Sequence, residues 1–327
     1  MRVTQNQLTR QYLQNSNASL NNMNKINSRV LSQRKFLRAS EDSVAASKAL
    51  IIRRGLSKNE IYNTNLDTAN GIYEAGEKAL TTISSISTTV TDSITQGTNG
   101  TQSDDERKII AAQIRNLAKE MISQINVDYA DRKLFGGTNN TTTPYAYDDV
   151  TKTLTYNGVD ITSSDLSDFP QTKDIYIDVG LGIKFDAAGN VDKQTAMNIS
   201  LNGAKYLGFG TDTDGDSKNI IALAYDAANA IEANDTGKAN SLLGKIVSAK
   251  SNLMVGITNI GNLQQSVDIN KSRVEDSTFS LKTAQQATEG IDLTEEITNY
   301  KVAQMAYNAT LSMGSNLIPK SIFDYMR

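Results

Sequence analysis

The chain has 327 residues, room for two or three domains, and 33 basic residues against 36 acidic ones give a net charge of −3. It lacks cysteine, histidine and tryptophan, which excludes disulfides, thiolate catalysis, zinc sites of the Cys/His type and a Ser-His-Asp arrangement. No broad basic tract is present, which argues against nucleic acid as a partner.

No segment approaches the roughly 18 apolar residues of a membrane span. The opening MRVTQNQLTRQYLQNSNASL has no apolar centre for a secretory signal. From Val3 to Leu31 the chain is rich in Asn, Gln and Ser. Its apolar residues are sparse but ordered, with Leu13, Leu20, Met23 and Val30 at steps built from threes and fours. That is a weak coiled-coil seam, expected to gain its order from a partner. RKFLRASEDSVAASKAL then reads as a helix start. Ser40 is the expected N-cap, with Glu41 and Asp42 in the first turn, where the helix dipole favours carboxylates.

From Glu41 to Ile94 the helical period strengthens, with Ile72, Gly76, Ala79, Ile83, Ile86, Val90 and Ile94 on one stripe. Gly and Ala in it predict close helix approach. Gln96 to Gln102 reads as a turn, and Ser103 with Glu106 forms a capping box. The next helix carries Ile110, Ile114, Leu117, Met121 and Ile125 and is expected to end near Arg132, before LFGG. From Thr141 to about Tyr206 short β-branched and aromatic runs alternate with turn signals, among them Tyr156-Asn157-Gly158-Val159 and DAAGN. Helices return near Asp216. The strongest period in the chain follows: Ile246, Leu253, Ile260, Val267 and Val274 recur every seventh residue, a spacing that implies left-handed supercoiling against other helices. The last segment places Leu293, Ile297, Tyr300, Tyr307, Leu311 and Ile318 on one stripe.

TDTDGDSKN, Thr211 to Asn219, raises calcium. A loop of the EF-hand type starting at Asp212 needs Gly at its sixth place and Glu at its twelfth. Those places hold Ser217 and Leu223, so a solvated turn with a helix cap is the plainer reading, and cation binding by Asp212–Asp216 stays open. Gly180-Leu181-Gly182 lacks the rest of a dinucleotide fingerprint and reads as a strand bend.

Helices from both ends thus flank a β-rich middle. In that order four stretches resemble the flagellin-like proteins of bacterial flagella: MRVTQ at the start, the turn Ser40-Glu41-Asp42-Ser43 before a small-residue helix, LFGGT at Leu134 to Thr138, and SIFDYMR at Ser321 to Arg327. The ending is similar to that of the junction-protein branch more than to flagellin itself. Ser43 stands where the family turn usually has proline.

The resemblance implies a mainly α fold: a long antiparallel helical trunk, paired N- and C-terminal coiled-coil helices and a small β-rich inserted domain. Residues 1–40 and 289–327 would be the terminal assembly helices, 41–140 and 207–288 the trunk, and 141–206 the outer insertion. The assembly interface is expected at Leu13, Leu20, Met23, Val30, Leu293, Ile297, Tyr300, Tyr307, Leu311 and Ile318. The implied role is structural, not enzymatic, with no cofactor: a subunit joining hook to filament, exported without a cleavable signal peptide to the flagellum. Its implied partners are further copies in a ring or tube, a hook-associated protein on the hook side, flagellin on the filament side, and an export chaperone on the C-terminal helix. The bulk filament subunit and a non-flagellar coiled-coil binding module are the alternatives.

Overall fold

The computed structural model describes residues 5–100, 102–139, 141–170, 172–192 and 195–317. The first elements are helices α1 (Gln5–Ser32), α2 (Ser43–Gly97) and α3 (Asp104–Ile125). A two-stranded hairpin follows, β1 (Asp128–Tyr129) with β2 (Arg132–Lys133), and then the antiparallel sheet β3 (Tyr145–Asp148), β4 (Thr153–Tyr156) and β5 (Val159–Asp160). A second pair is β6 (Tyr176–Asp178) with β7 (Ala196–Asn198). Helices α4 (Gly203–Leu207), α5 (Ile220–Glu232), α6 (Thr236–Glu289) and α7 (Leu293–Leu317) complete the order. The fold is mainly α, with a long helical trunk and small sheets of few strands.

The chain forms two compact units, one of residues up to Asn59 with those from Glu275 on, the other Glu60–Val274. Helices α2 and α6 contribute to both.

In the unit Glu60–Val274, α2 and α6 run antiparallel. Lys250 Nζ donates to Thr88 Oγ1 (2.6 Å), Gln264 Nε2 to Glu77 Oε2 (3.0 Å) and Lys271 Nζ to Asp67 Oδ1 (2.7 Å), so one helix ascends as the other descends. The seven-residue seam of α6 is its buried side: Ile246, Leu253 and Ile260 are fully enclosed, and Val267 and Val274 nearly so. Each such burial contributes about 1.5–3 kcal/mol. Helix α2 buries more than the expected stripe, adding Leu66, Tyr73 and Leu80. Gly76 faces α6 only at ordinary contact distance, with Ile260 Cδ1 3.7 Å from where a Cβ would stand. A Cβ there would come 2.6 Å from Leu201 Cδ1, so the missing side chain makes room for the segment after β7.

The capping box is present. The Ser103 hydroxyl accepts from Glu106 N, and the Glu106 carboxylate accepts from Ser103 N (2.7 Å). Helix α3 stops at Ile125, short of the expected Arg132. The cause is tertiary: Asn126 Nδ2 donates to Tyr145 O (2.8 Å) while Tyr145 N donates to Asn126 Oδ1 (2.9 Å), which draws the chain out of the helix. The β1–β2 hairpin uses the residues expected to extend it.

LFGG is a tie point. Phe135 is buried, and its carbonyl accepts from Tyr156 Oη (2.8 Å) and from Gly203 N (3.0 Å). Gly137 takes φ +68°, a conformation that favours glycine. The Asn157-Gly158 turn has both residues at positive φ, as a two-residue hairpin requires.

Residues 141–206 supply Tyr145, Tyr156 and Phe169 to the same continuous core as α2, α3, α5 and α6. Tyr147 stacks on Tyr225 of α5 at 3.6 Å, and Tyr73 of α2 donates to Asn198 O (2.6 Å). The sequence sets 141–206 apart; in the structure they lie in one compact unit with 60–140 and 207–274.

Candidate assembly interface

The other unit is built on α1 and α7, which pack against each other. On α1 the half-buried residues Tyr12, Ser16, Ser19, Met23, Ile26 and Val30 recur at alternating steps of four and three. On α7 the covered residues Glu296, Tyr300, Ala303, Tyr307, Thr310 and Gly314 follow the same rhythm. That is the heptad seam of a coiled coil. Met23, Ile26 and Val30 are its aliphatic members, and most other layers are small, hydroxylic or aromatic, so it buries less hydrocarbon than an all-aliphatic seam. Gly314 gives Tyr12 its place, since a Cβ there would lie 2.0 Å from the Tyr12 hydroxyl oxygen. Arg29 of α1 lies 3.7 Å from Glu296 of α7 and adds a charge pair to the seam.

The expected stripe shares Met23, Val30, Tyr300 and Tyr307 with this seam, and Leu20 is half-buried beside it. Leu13, Leu293, Ile297 and Leu311 lie off it and are 39–52% exposed. Ile318 falls outside the described residues. The seam members that sequence reasoning missed are Tyr12 and Ile26 and the polar or small residues Ser16, Ser19, Glu296, Ala303 and Thr310. Only their four-and-three spacing marked them.

The turn before α2 differs in detail from the expected cap. Helix α2 starts at Ser43, and Asp42 rather than Ser40 caps it, accepting from Ala45 N at 2.9 Å. Glu41 closes the preceding turn by accepting from Leu37 N (3.2 Å). Ser40 stands in that turn, too early to reach the orphan N–H groups of α2.

The aspartate loop has an internal cation. Lys245 Nζ stands 2.6 Å from Asp212, 2.8 Å from Asp214 and 2.6 Å from Asp216, and Lys238 Nζ is 2.5 Å from Asp216. The Lys245 hydrogen bond holds the Asp212 carboxyl below its ordinary range. At Asp216 burial pushes the other way, but the bonds from Lys238 and Lys245 outweigh it. An ammonium group thus fills the space between the three carboxylates that could otherwise hold a metal ion.

Helices α1 and α7 pair with each other, α2 and α6 form an antiparallel trunk, and a β-rich stretch lies between the two helical halves of the sequence. Residues 3–140 match the bacterial flagellin N-terminal helical region. The flagellin of Listeria monocytogenes is 22% identical over 312 residues, 94% of this chain and 92% of its own. Flagellar hook-associated protein 3 of Escherichia coli is 25% identical over 114 residues, 35% of this chain and 36% of its own. Among solved structures, a flagellar hook-associated protein from Vibrio parahaemolyticus shares the fold with a TM-score of 0.61 at 18% identity, covering 76% of this chain and 100% of that one. FlgL from Xanthomonas campestris does so with a TM-score of 0.55 at 16% identity, covering 72% and 99%. The family match covers the helices before the β-rich middle, and over most of its length the chain is similar to the flagellin-like proteins. No helix among the described residues is long and apolar enough to cross a membrane.

Proposed function

We propose that this protein is a structural subunit of the bacterial flagellum, placed where hook meets filament and adapting one polymer lattice to the next. The observation that carries the reading is coverage: the whole of a hook-associated protein of known structure overlays three quarters of this chain. The ending SIFDYMR, similar to that of junction proteins, supports the same branch.

The assembly surface in this reading is the outer side of the α1/α7 pair. Leu13, Leu293, Ile297 and Leu311 are exposed in the single chain, and neighbouring copies would cover them. A thin, polar seam suits helices that complete their burial on assembly. On this reading the partners are further copies in a ring or tube, a hook-associated protein on one side and flagellin on the other. An export chaperone would take the C-terminal helix in a groove. Export would use the flagellum's own channel, without a cleavable signal, and neither cofactor nor catalysis enters. The domain reading keeps residues 1–40 and 289–327 as the assembly part.

One finding favours a second reading, the bulk filament subunit: the Listeria flagellin aligns over nearly the whole chain. Deleting the gene and locating the tagged protein decides between them. A junction subunit is scarce, labels one band at the filament base, and its loss leaves hooks without filaments while flagellin appears in the medium. Labelling along the entire filament, or a protein that dominates filament mass, makes it flagellin. Normal filaments in the deletion strain refute both.

A further inference from the structure

Two short linkers join the terminal helix pair to the long helices: residues 33–42 between α1 and α2, and residues 290–292 between α6 and α7. Both lie in the unit formed by the chain ends. They are paired with each other. Arg34 and Gly290 form an antiparallel bridge, and Lys35 N donates to Glu289 O at 2.8 Å. Each linker is closed by its own cap, Asp42 for α2 and Asp292 for α7, the latter accepting from Thr294 N at 2.9 Å.

Glu289, the last residue of α6, sits at this bridge and is 4% exposed. Its Oε2 accepts from Arg53 of α2 at 2.5 Å and lies 3.8 Å from Arg34 Nε of the first linker. Its Oε1 is enclosed and accepts no hydrogen bond among the described residues. Stability is a poor explanation for a carboxylate here. The negative end of the helix dipole repels it. Removing it from water with one oxygen unpaired is unfavourable. Both arginines are half-exposed, so solvent screens the pairing and it contributes little net stability; the best-attested use of such a pairing is to specify geometry. This one draws three separate segments, α2, α6 and the first linker, onto a single group.

We propose that Glu289 is a positioning latch: its charge clamps the first linker and α2 onto the end of α6, where the second linker begins, and so sets the direction in which the α1/α7 pair leaves the long helices. The incomplete pairing makes it a latch that can open rather than a permanent core contact. Lys25–Glu41 (4.0 Å) and Arg29–Glu296 (3.7 Å) add weaker ties on the same side. The latch is independent of where in a flagellum the protein stands.

The absence of cysteine makes the test direct. Spin labels at Asn21→Cys on α1 and Phe279→Cys on α6, both exposed and both in this unit, report the direction of the pair by pulsed electron paramagnetic resonance. The unmodified latch should give one narrow distance distribution. Glu289→Gln, which keeps the shape and removes the charge, should broaden or split it, while the thermal midpoint of the chain changes little. Trypsin at Arg34, Lys35 and Arg38 reads linker opening on unlabelled protein. Cleavage should become at least roughly tenfold faster in Glu289→Gln, about 1.4 kcal/mol in opening free energy. An equally narrow distribution with unchanged cleavage overturns the proposal. So does a general loss of helix in Glu289→Gln and Glu289→Ala alike, which would make Glu289 a folding element and not a latch.

Discussion

Gly314→Ala pits two effects of known size against each other. In a helix, alanine is favoured over glycine by about 1 kcal/mol. At this position the added Cβ would meet Tyr12 Oη at 2.0 Å, Cζ at 2.3 Å and Cε2 at 2.9 Å. Carbon atoms attract at roughly 3.5 Å, so the ring edge must move by roughly 1.5 Å. The whole edge is involved, so turning the hydroxyl away is no remedy, and Tyr12 must leave the seam or the helices must part. Overpacking of that kind costs about 1–3 kcal/mol. The seam has little hydrocarbon elsewhere to absorb the loss, so the expected net effect on the α1/α7 pair is unfavourable by up to about 2 kcal/mol. Tyr12→Ala removes the obstacle. In that background Gly314→Ala should become stabilising by about 1 kcal/mol. Hydrogen exchange followed separately in peptides from α1, α7 and residues 60–274 reads this local stability. Amides of α1 and α7 should lose protection in the single Gly314→Ala variant, while those of 60–274 keep theirs. The sign should reverse when Tyr12 is also alanine. Greater protection of α1 and α7 in the single variant would refute the packing of Tyr12 over Gly314.

Leu311→Asp should leave the thermal midpoint of the purified chain nearly unchanged, because Leu311 is 45% exposed; filament growth in cells should be lost, since a buried unpaired carboxylate costs several kcal/mol (about 3–5). Normal filaments would remove Leu311 from the assembly surface. Ile260→Ala, fully enclosed on the α6 seam, should destabilise the unit 60–274 by about 2–5 kcal/mol in denaturant unfolding; a loss below about 1 kcal/mol would mean the seam collapses around the gap. Asp212 and Asp216 are held below their ordinary values, so their contribution is complete above the unfolded carboxylate range of about 4 and is lost as pH falls through their lower folded values. Lys245→Met should flatten that part of the acid transition, and an identical pH profile would show that the ammonium is not its source.

Elements that depend on neighbours along the chain are legible in the amino-acid order itself. The seven-residue period of Ile246 to Val274 announces a buried seam because a helix repeats its faces at short range. Ser103 with Glu106 announces a helix start because both partners of the capping box lie within one turn. Asn157-Gly158 announces a hairpin because only a few residues accept positive φ. The nested order, helices at both ends and strands between, follows from the same local signals.

What the tertiary structure decided concerns groups far apart in sequence. The stop of α3 at Ile125 is invisible in a run that stays helix-compatible, because Asn126 finds Tyr145 only after folding. The vacant face of Gly76 serves Leu201, and that of Gly314 serves Tyr12. The period places each glycine on a covered face but does not name its partner, since a glycine's meaning lies in what fills the space beside it. At Leu13, Leu293, Ile297 and Leu311 the expected stripe runs one face away from the true α1/α7 seam. A stripe sought through apolar residues catches Met23 and Val30 but misses the seam positions filled by serine, threonine, alanine and glutamate. The three aspartates suggest a cation, and only the fold reveals that Lys245, on α6, brings the charge. Period and capping are properties of a single segment and are written in it; the choice of which face is covered, and by which charge, belongs to the partner segment and exists only once the chain has closed on itself.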